Sequence, residues 1–192
     1  MNRLPSPVRM LAALVILCVG AFAQSPNVVT GTTYVTFSKS FVTAAQSLGL
    51  SLGTVSPTEV VQGTAGFPIT GGALEIDNAK GEILHNGGLT IRAGSTTVRL
   101  QDYVIDTTGA SPVITGLVVV DGKVLGRVPL FNVLLPANFT LPLRPKNGIL
   151  DVKYPKLTLT STAATALNQV FGTTAFKSGF YIGFARIIAL VR

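Results

Sequence analysis

The chain has 192 residues, with 15 lysines and arginines against 8 acidic residues, and it contains one histidine and one cysteine. This composition excludes a metal site built from several histidines or thiolates, because the chain cannot supply enough such ligands. The basic residues are scattered without interleaved aromatic residues, which argues against nucleic-acid binding. A chain of this length can bury one sizeable core, so we expect a single domain.

The N-terminal segment has the pattern of a secretory signal peptide. Arginines precede the uncharged run MLAALVILCVGAFA, and the A-F-A sequence at 21–23 is typical of a signal-peptidase site. The run is shorter than the ~20 apolar residues that span a bilayer. Cys18 follows Leu17, which does not fit a lipoprotein signal, so we expect no lipid anchor. We predict a signal peptide over 1–23 and a single cysteine-free mature domain over 24–192, exported to the periplasm, the cell surface or the medium.

The mature chain starts with a strand that leads into a short helix. TYVTF is typical of a strand, and the following SKSFVTAAQSLG has apolar residues at helical spacing, namely Phe41, Ala44, Ala45 and Leu48. The serine at the start of this segment can cap the helix, and Gly49 can end it.

The middle of the chain is typical of antiparallel strands. TTVRLQDYVIDTT alternates until the Q-D at 101–102, where the register breaks as it does at a β-bulge. The D-G at 121–122 and the N-G at 147–148 both lie between apolar runs and favour two-residue turns with positive φ. We therefore predict two tight hairpins.

The order of strand and helix recurs near the C terminus. KLTLT precedes TSTAATALNQVFG, in which Thr160 or Ser161 can cap a helix that Gly172 ends. The last strand, GFYIGFARIIALV, is apolar on both faces, so we expect it inside a sheet rather than at an edge. These elements predict a mainly β protein, an antiparallel β-sandwich or flattened barrel with two short helices.

The sequence offers little of the chemistry that catalysis needs. A Ser/His/Asp triad would have to use His85, and no G-x-S-x-G elbow accompanies it. The carboxylates are few, tryptophan is absent, and there is no phosphate-binding loop of the GxxxxGK type. We predict that the protein is not an enzyme and has no dedicated metal site.

A glycine-rich segment, FPITGGALEIDNAKGEILHNGGLTI, carries a family resemblance. Its run FPITGGAL has the form F-x-x-x-G-G-x-L, with Phe67, the glycines at 71–72 and Leu74, and a strand then leads to a Gly-Leu turn at 87–89. These motifs resemble the HtaA domain family, the exported haem-binding modules of bacterial surfaces. SKSFVTAA resembles the opening S-F segment of the family, and YPKLTLTSTAATALNQVFG resembles its late helix region, so the resemblance spans most of the mature chain.

The resemblance implies haem held by a tyrosine with a supporting histidine. The tyrosine is expected shortly after the opening S-F, where this chain has Thr43, Ala44 and Ala45. The histidine is expected in the glycine segment, where this chain has Thr70 or Gly71. None of these side chains offers the lone pair that iron needs. We therefore expect haem affinity weaker than micromolar, which corresponds to less than ~8 kcal/mol of binding free energy.

His85 lies in GEILHNGGL, where a strand ends and a turn begins. This context predicts a side chain that bonds a loop carbonyl or faces water, so that replacement by alanine costs less than ~1 kcal/mol of stability. The alternative is a haem or metal ligand at the rim of a loop. Tyr34 is a candidate for a displaced axial ligand, and Arg92 and Arg99 could contact ligand carboxylates. These four residues form the candidate ligand-binding set.

The sequence thus favours a secreted, non-enzymatic binding or surface-associated module of the HtaA-like type, in which haem is one candidate ligand and is disfavoured. One alternative is a carrier that holds an apolar small ligand or a lipid in its interior. Another is a structural or adhesive surface protein without a small ligand, and a third is a small exported hydrolase that uses His85.

Overall fold

The computed structural model describes residues 27–192, so the expected signal peptide lies outside the described residues. Neither of the described helices is both long and apolar enough to cross a membrane. The elements in chain order are β1 (Asn27–Phe37), α1 (Lys39–Ser47), β2 (Ser51–Val55), β3 (Glu59–Val61), β4 (Thr64–Leu74), β5 (Gly81–His85), β6 (Gly88–Ala93), β7 (Thr96–Asp106), β8 (Val113–Val120), β9 (Lys123–Leu134), β10 (Ile149–Leu159), α2 (Ser161–Phe171) and β11 (Tyr181–Val191).

Most of the strands close into one antiparallel barrel. The order around it is β7-β5-β4-β1-β11-β10-β9-β8, and β8 returns to β7. β5 pairs with residues 104–106 of β7, and β6 pairs with residues 96–101 along the same edge of β7. β2 extends the sheet from β6, and β3 lies beside β4. The mainly β class is confirmed, and the barrel alternative is the one observed.

Local turn chemistry produces the predicted irregularities. The register between β7 and β8 shifts after Gln101, and Asp102 there has a φ of 52°. The D-G turn at 121–122 joins β8 to β9 with φ values of 47° and 84°. The N-G turn at 147–148 has φ values of 51° and 75° and is closed by a bridge between residues 146 and 149. The bulge and both tight turns are therefore confirmed.

Both helices begin and end where the sequence predicts. The Ser38 side chain accepts a hydrogen bond from the Phe41 N–H at 3.0 Å, and Thr160 caps α2 in the same way. Gly172 ends α2 in the left-handed conformation at a φ of 60°, and Gly49, just after α1, has a φ of 65°.

The two helices lie at the same end of the barrel. β1 and β10 both run antiparallel to β11, so their C-terminal ends lie together. α1 follows β1 and α2 follows β10. We call this the helix end of the barrel.

The core fills the interior of the barrel, because alternate residues of each strand point inward. On β11 the buried residues include Ala185, Ile187 and Ala189. β11 is paired on both sides, with β1 and with β10, which confirms that this strand is internal to the sheet.

Candidate functional site

The barrel interior contains a cavity near the helix end, with a free volume of about 70 Å³. Three of its lining side chains are polar, namely Thr33, His85 and Tyr103. The rest are apolar and come from the strands, both helices and the segment after α2, among them Phe67, Leu100, Ile114, Phe131, Leu157 and Leu167.

A second space, the crevice, lies at the helix end, where it is lined by α1, β2 and the 173–180 segment. Its volume is about 230 Å³. The crevice and the cavity share five apolar lining residues, so the two spaces are neighbours at the helix end. These shared residues are Phe41, Leu52, Ile91, Phe176 and Phe180.

His85 is hydrogen-bonded inside the barrel. Its Nε2 lies 2.7 Å from Oγ1 of Thr33, and its Nδ1 lies 3.3 Å from the backbone carbonyl oxygen of Tyr103. A carbonyl can only accept, so Nδ1 carries the proton and donates to it. Nε2 therefore accepts the hydrogen bond that the Thr33 hydroxyl donates. Both ring nitrogens are engaged, and the imidazole is neutral.

The environment of His85 opposes its protonation. The side chain is 6% exposed. Burial lowers the pKa of His85 from 6.5 to about 4, although the backbone carbonyls of Tyr103 and Ile83 act in the opposite direction. The predicted position at a strand end is correct, and the ring does bond a backbone carbonyl, but that carbonyl lies inside the barrel and the water-facing alternative is wrong. The small loss of stability expected for His85→Ala no longer holds, because that figure applies to an exposed residue.

Tyr103 crosses the interior next to His85. Its ring packs edge-on against Phe67 with centroids 5.2 Å apart, and it lies over Gly116, where an added Cβ would be 2.9 Å from the ring. Burial raises the pKa of the Tyr103 hydroxyl far above its ordinary value, so this phenol stays protonated. The Leu89 backbone is near enough to influence that pKa, but no protein atom completes a hydrogen bond to the hydroxyl.

The other three candidate ligand-binding residues lie outside the barrel. Tyr34 is 42% exposed on the outer face of β1, in a shallow cleft with Tyr154 and Arg186. Arg92 and Arg99 are exposed on β6 and β7. The structure therefore places one of the four, His85, at the cavity and does not bring the others to it. Within residues 27–192, no three His, Cys, Asp or Glu side chains form a group that could hold a metal ion.

Thr33 and the Tyr103 hydroxyl belong to the cavity, and sequence reasoning did not single them out for it. Signals for both were present. In β1 the alternation that buries Val35 also places Thr33 inside, and the bulge after Gln101 changes which residues of β7 face inward. His85 follows the same rule, since it lies two residues after the buried Ile83.

Comparison with known proteins identifies the fold. No family model matches the sequence, and no curated protein is recognisably similar to it in sequence. Among solved structures, the C-terminal domain of HtaA from Corynebacterium glutamicum is similar over 88% of this chain and 100% of its own, with a TM-score of 0.65 and 16% identity. The N-terminal domain of the same HtaA covers 86% of this chain and 98% of its own, with a TM-score of 0.62 and 14% identity.

A third similar structure is the haem-binding protein HtaB from Corynebacterium glutamicum. It covers 86% of this chain and 95% of its own, with a TM-score of 0.59 and 12% identity. The chain therefore has the HtaA-like fold, as the glycine-rich motifs predict. At such low identity the likeness concerns the fold.

Proposed function

We propose that this chain is an exported, non-enzymatic binding module that takes a small apolar molecule, rather than haem, into the barrel at its helix end. The observation that carries the proposal is the apolar cavity beside an apolar crevice, with five shared lining residues. Ligand sites are commonly concave and mostly apolar, with few polar groups, and the mouths of β-barrels are a usual place for them. The free space of about 70 Å³ in the cavity and 230 Å³ in the crevice suits a small or slender molecule.

Haem is disfavoured because the crevice lacks a group that can ligate iron. The α1 residues that line it are Phe41, Ala44, Ala45, Ser47 and Leu48, and none of the other residues described there is a histidine, tyrosine, cysteine or methionine. In the cavity, the Nε2 lone pair of His85 already accepts a hydrogen bond from Thr33. Tyr103 also lines the cavity, but burial raises the pKa of its hydroxyl, so it stays a protonated phenol and does not supply the tyrosinate that ligates iron. Without an axial ligand, the residues present do not fit haem.

Haemin titration tests directly whether the protein binds haem. We expect no saturable shift of the Soret band at sub-micromolar protein, because apolar contact alone must then hold the macrocycle. A sharp, saturable Soret shift in that range would contradict the expectation. If His85→Ala then abolished the shift, the single histidine would be the ligand.

A plug in the crevice tests the proposed route to the cavity. Ala44 is half-buried and lines the crevice, whereas the adjacent Thr43 is exposed and does not line it. We expect Ala44→Trp to weaken binding of the neutral fluorophore N-phenyl-1-naphthylamine at least about tenfold, which is ~1.4 kcal/mol. Thr43→Trp is the matched control and should bind the fluorophore as the unmodified protein does.

Native mass spectrometry of the gently purified protein complements the plug. We expect a bound apolar small molecule that is reduced in Ala44→Trp and retained in Thr43→Trp. Equal fluorophore binding by both variants would argue against the crevice as the entrance. The absence of any bound molecule or fluorophore binding would favour the alternative of a structural or adhesive surface protein.

A further inference from the structure

The Tyr103 hydroxyl is an anomaly in the barrel interior. Tyr103 is 6% exposed and lines the cavity, and its hydroxyl has no hydrogen-bond partner. Among residues 27–192, it is the buried side-chain polar atom for which no partner is found. Burying a hydroxyl without a partner is unfavourable, and a phenylalanine would avoid this at nearly the same volume.

The neighbouring polar groups do not relieve the hydroxyl. Thr33 and His85 hydrogen-bond each other, and the second ring nitrogen of His85 is bonded to the Tyr103 backbone carbonyl rather than to its hydroxyl. The ring of Tyr103 packs edge-on against Phe67 and lies directly over Gly116, so the hydroxyl cannot swing far to find another partner. The Leu89 backbone comes near enough to lower the pKa of Tyr103, but it does not complete a hydrogen bond to the hydroxyl. We therefore take the missing partner to be a molecule in the cavity.

We propose that the ligand is an uncharged aliphatic molecule with one oxygen acceptor, such as a ketone or ester carbonyl, that accepts a hydrogen bond from the Tyr103 hydroxyl. This inference rests on the proposed function, and it specifies the chemical class of the ligand. The acceptor lies deep in the cavity, and the aliphatic part extends between Phe176 and Phe180 towards the crevice.

The ligand is uncharged because nothing that lines the cavity can balance a charge. The lining contains no lysine, arginine, aspartate or glutamate. His85 is neutral because burial lowers its pKa to about 4, and Tyr103 is neutral because burial raises its pKa. A carboxylate or an ammonium group would be buried without a counter-charge, which is strongly unfavourable.

A trapped water molecule is a weaker explanation of the same hydroxyl. The free volume of about 70 Å³ can hold water. Buried water is well held when it finds two to four polar partners, and here the surrounding wall beyond the Thr33–His85 pair is apolar. A carbonyl attached to an aliphatic chain satisfies the hydroxyl and the apolar wall together.

Matched probes test the proposal by displacement of N-phenyl-1-naphthylamine from the protein. The probes are decane, 2-decanone and decanoate at pH 7. We expect 2-decanone to bind at least about fivefold more tightly than decane, the scale of one hydrogen bond. Decanoate should bind more weakly than 2-decanone. Tyr103→Phe should remove the preference, so that this variant binds the ketone and decane with equal affinity, and the exposed Tyr154→Phe is the matched control that should keep the preference.

The outcomes separate this inference from the proposed function. If decane and 2-decanone bind equally to the unmodified protein, or if the ketone preference survives in Tyr103→Phe, the inference is overturned and the apolar site remains. If no probe displaces the fluorophore, the proposed function fails as well. Tyr103→Phe should also melt no lower than the ligand-free unmodified protein, and a clear drop would show that the hydroxyl already has a partner.

Discussion

The free energy of unfolding is expected to fall by about 3 kcal/mol between pH 7 and pH 4 through His85 alone. The pKa of His85 is about 4 in the folded protein and 6.5 when the side chain is in water. Between pH 4 and 6.5, His85 is protonated in the unfolded chain but remains neutral in the folded protein. The stabilising effect of the neutral imidazole is therefore complete above pH 6.5 and is lost as the pH falls towards 4, at about 1.4 kcal/mol for each pH unit.

Urea unfolding of the protein and of His85→Leu at several pH values measures this effect. The chain contains no other histidine, so the difference between the two stability curves isolates the imidazole. The carboxylates, including Asp106 and Asp151 whose pKa values are lowered, titrate in both proteins, so their contributions cancel in the difference. We expect the advantage of His85 over leucine to shrink as the pH falls from 6.5 to 4. If the free energies of unfolding of the two proteins changed in parallel between pH 6.5 and 4, His85 would have an ordinary pKa and would not be buried in the barrel.

The same burial revises the cost of truncating the side chain at pH 7. His85→Ala leaves an internal space and removes the partners of Thr33 and of the Tyr103 carbonyl. We expect a loss of about 2–4 kcal/mol, the range for large-to-small changes in a core that also break buried hydrogen bonds. This is well above the surface scale that the sequence context suggests.

Local chemistry made much of the fold predictable from the sequence. Helix caps, two-residue turns and the bulge after Gln101 depend on residues within a few positions of one another, and each is found where its residues predict. Barrel closure is different, because it pairs β1 with β11 across most of the chain length. No pattern within a short segment indicates this long-range pairing, so the sequence alone could not distinguish a sandwich from a barrel.

The candidate site was harder to predict because it depends on which face of each strand turns inward. Ending the strand at Leu84 places His85 in a turn, whereas one more residue of pairing, with Ile69 on β4, turns it into the barrel. Tyr103 faces inward because the bulge at Asp102 shifts the alternation of β7. The exposure of Tyr34 follows from the same alternation, since Thr33 and Val35 occupy the interior face of β1.

Gly31→Ala is expected to be the most damaging of these single changes, with a loss of about 4 kcal/mol or a failure to fold. Gly31 has a φ of 146°, which L side chains rarely adopt. An added Cβ would lie 2.1 Å from the backbone oxygen of Ile188 and 2.9 Å from Cα of Ala189, and neither atom can rotate away. β11 would have to move away from β1, at the seam that closes the barrel.

Two glycines elsewhere separate the causes of this loss. Gly94 has a φ of 54° with open space around it, so Gly94→Ala isolates backbone strain, which costs about 1 kcal/mol. Gly109 has neither a positive φ nor a close neighbour, so Gly109→Ala should be nearly neutral. Thermal and urea unfolding should therefore rank Gly31→Ala far below Gly94→Ala, with Gly109→Ala close to the unmodified protein. A Gly31→Ala protein that unfolds like Gly94→Ala would show that β1 and β11 can separate at this seam at little cost.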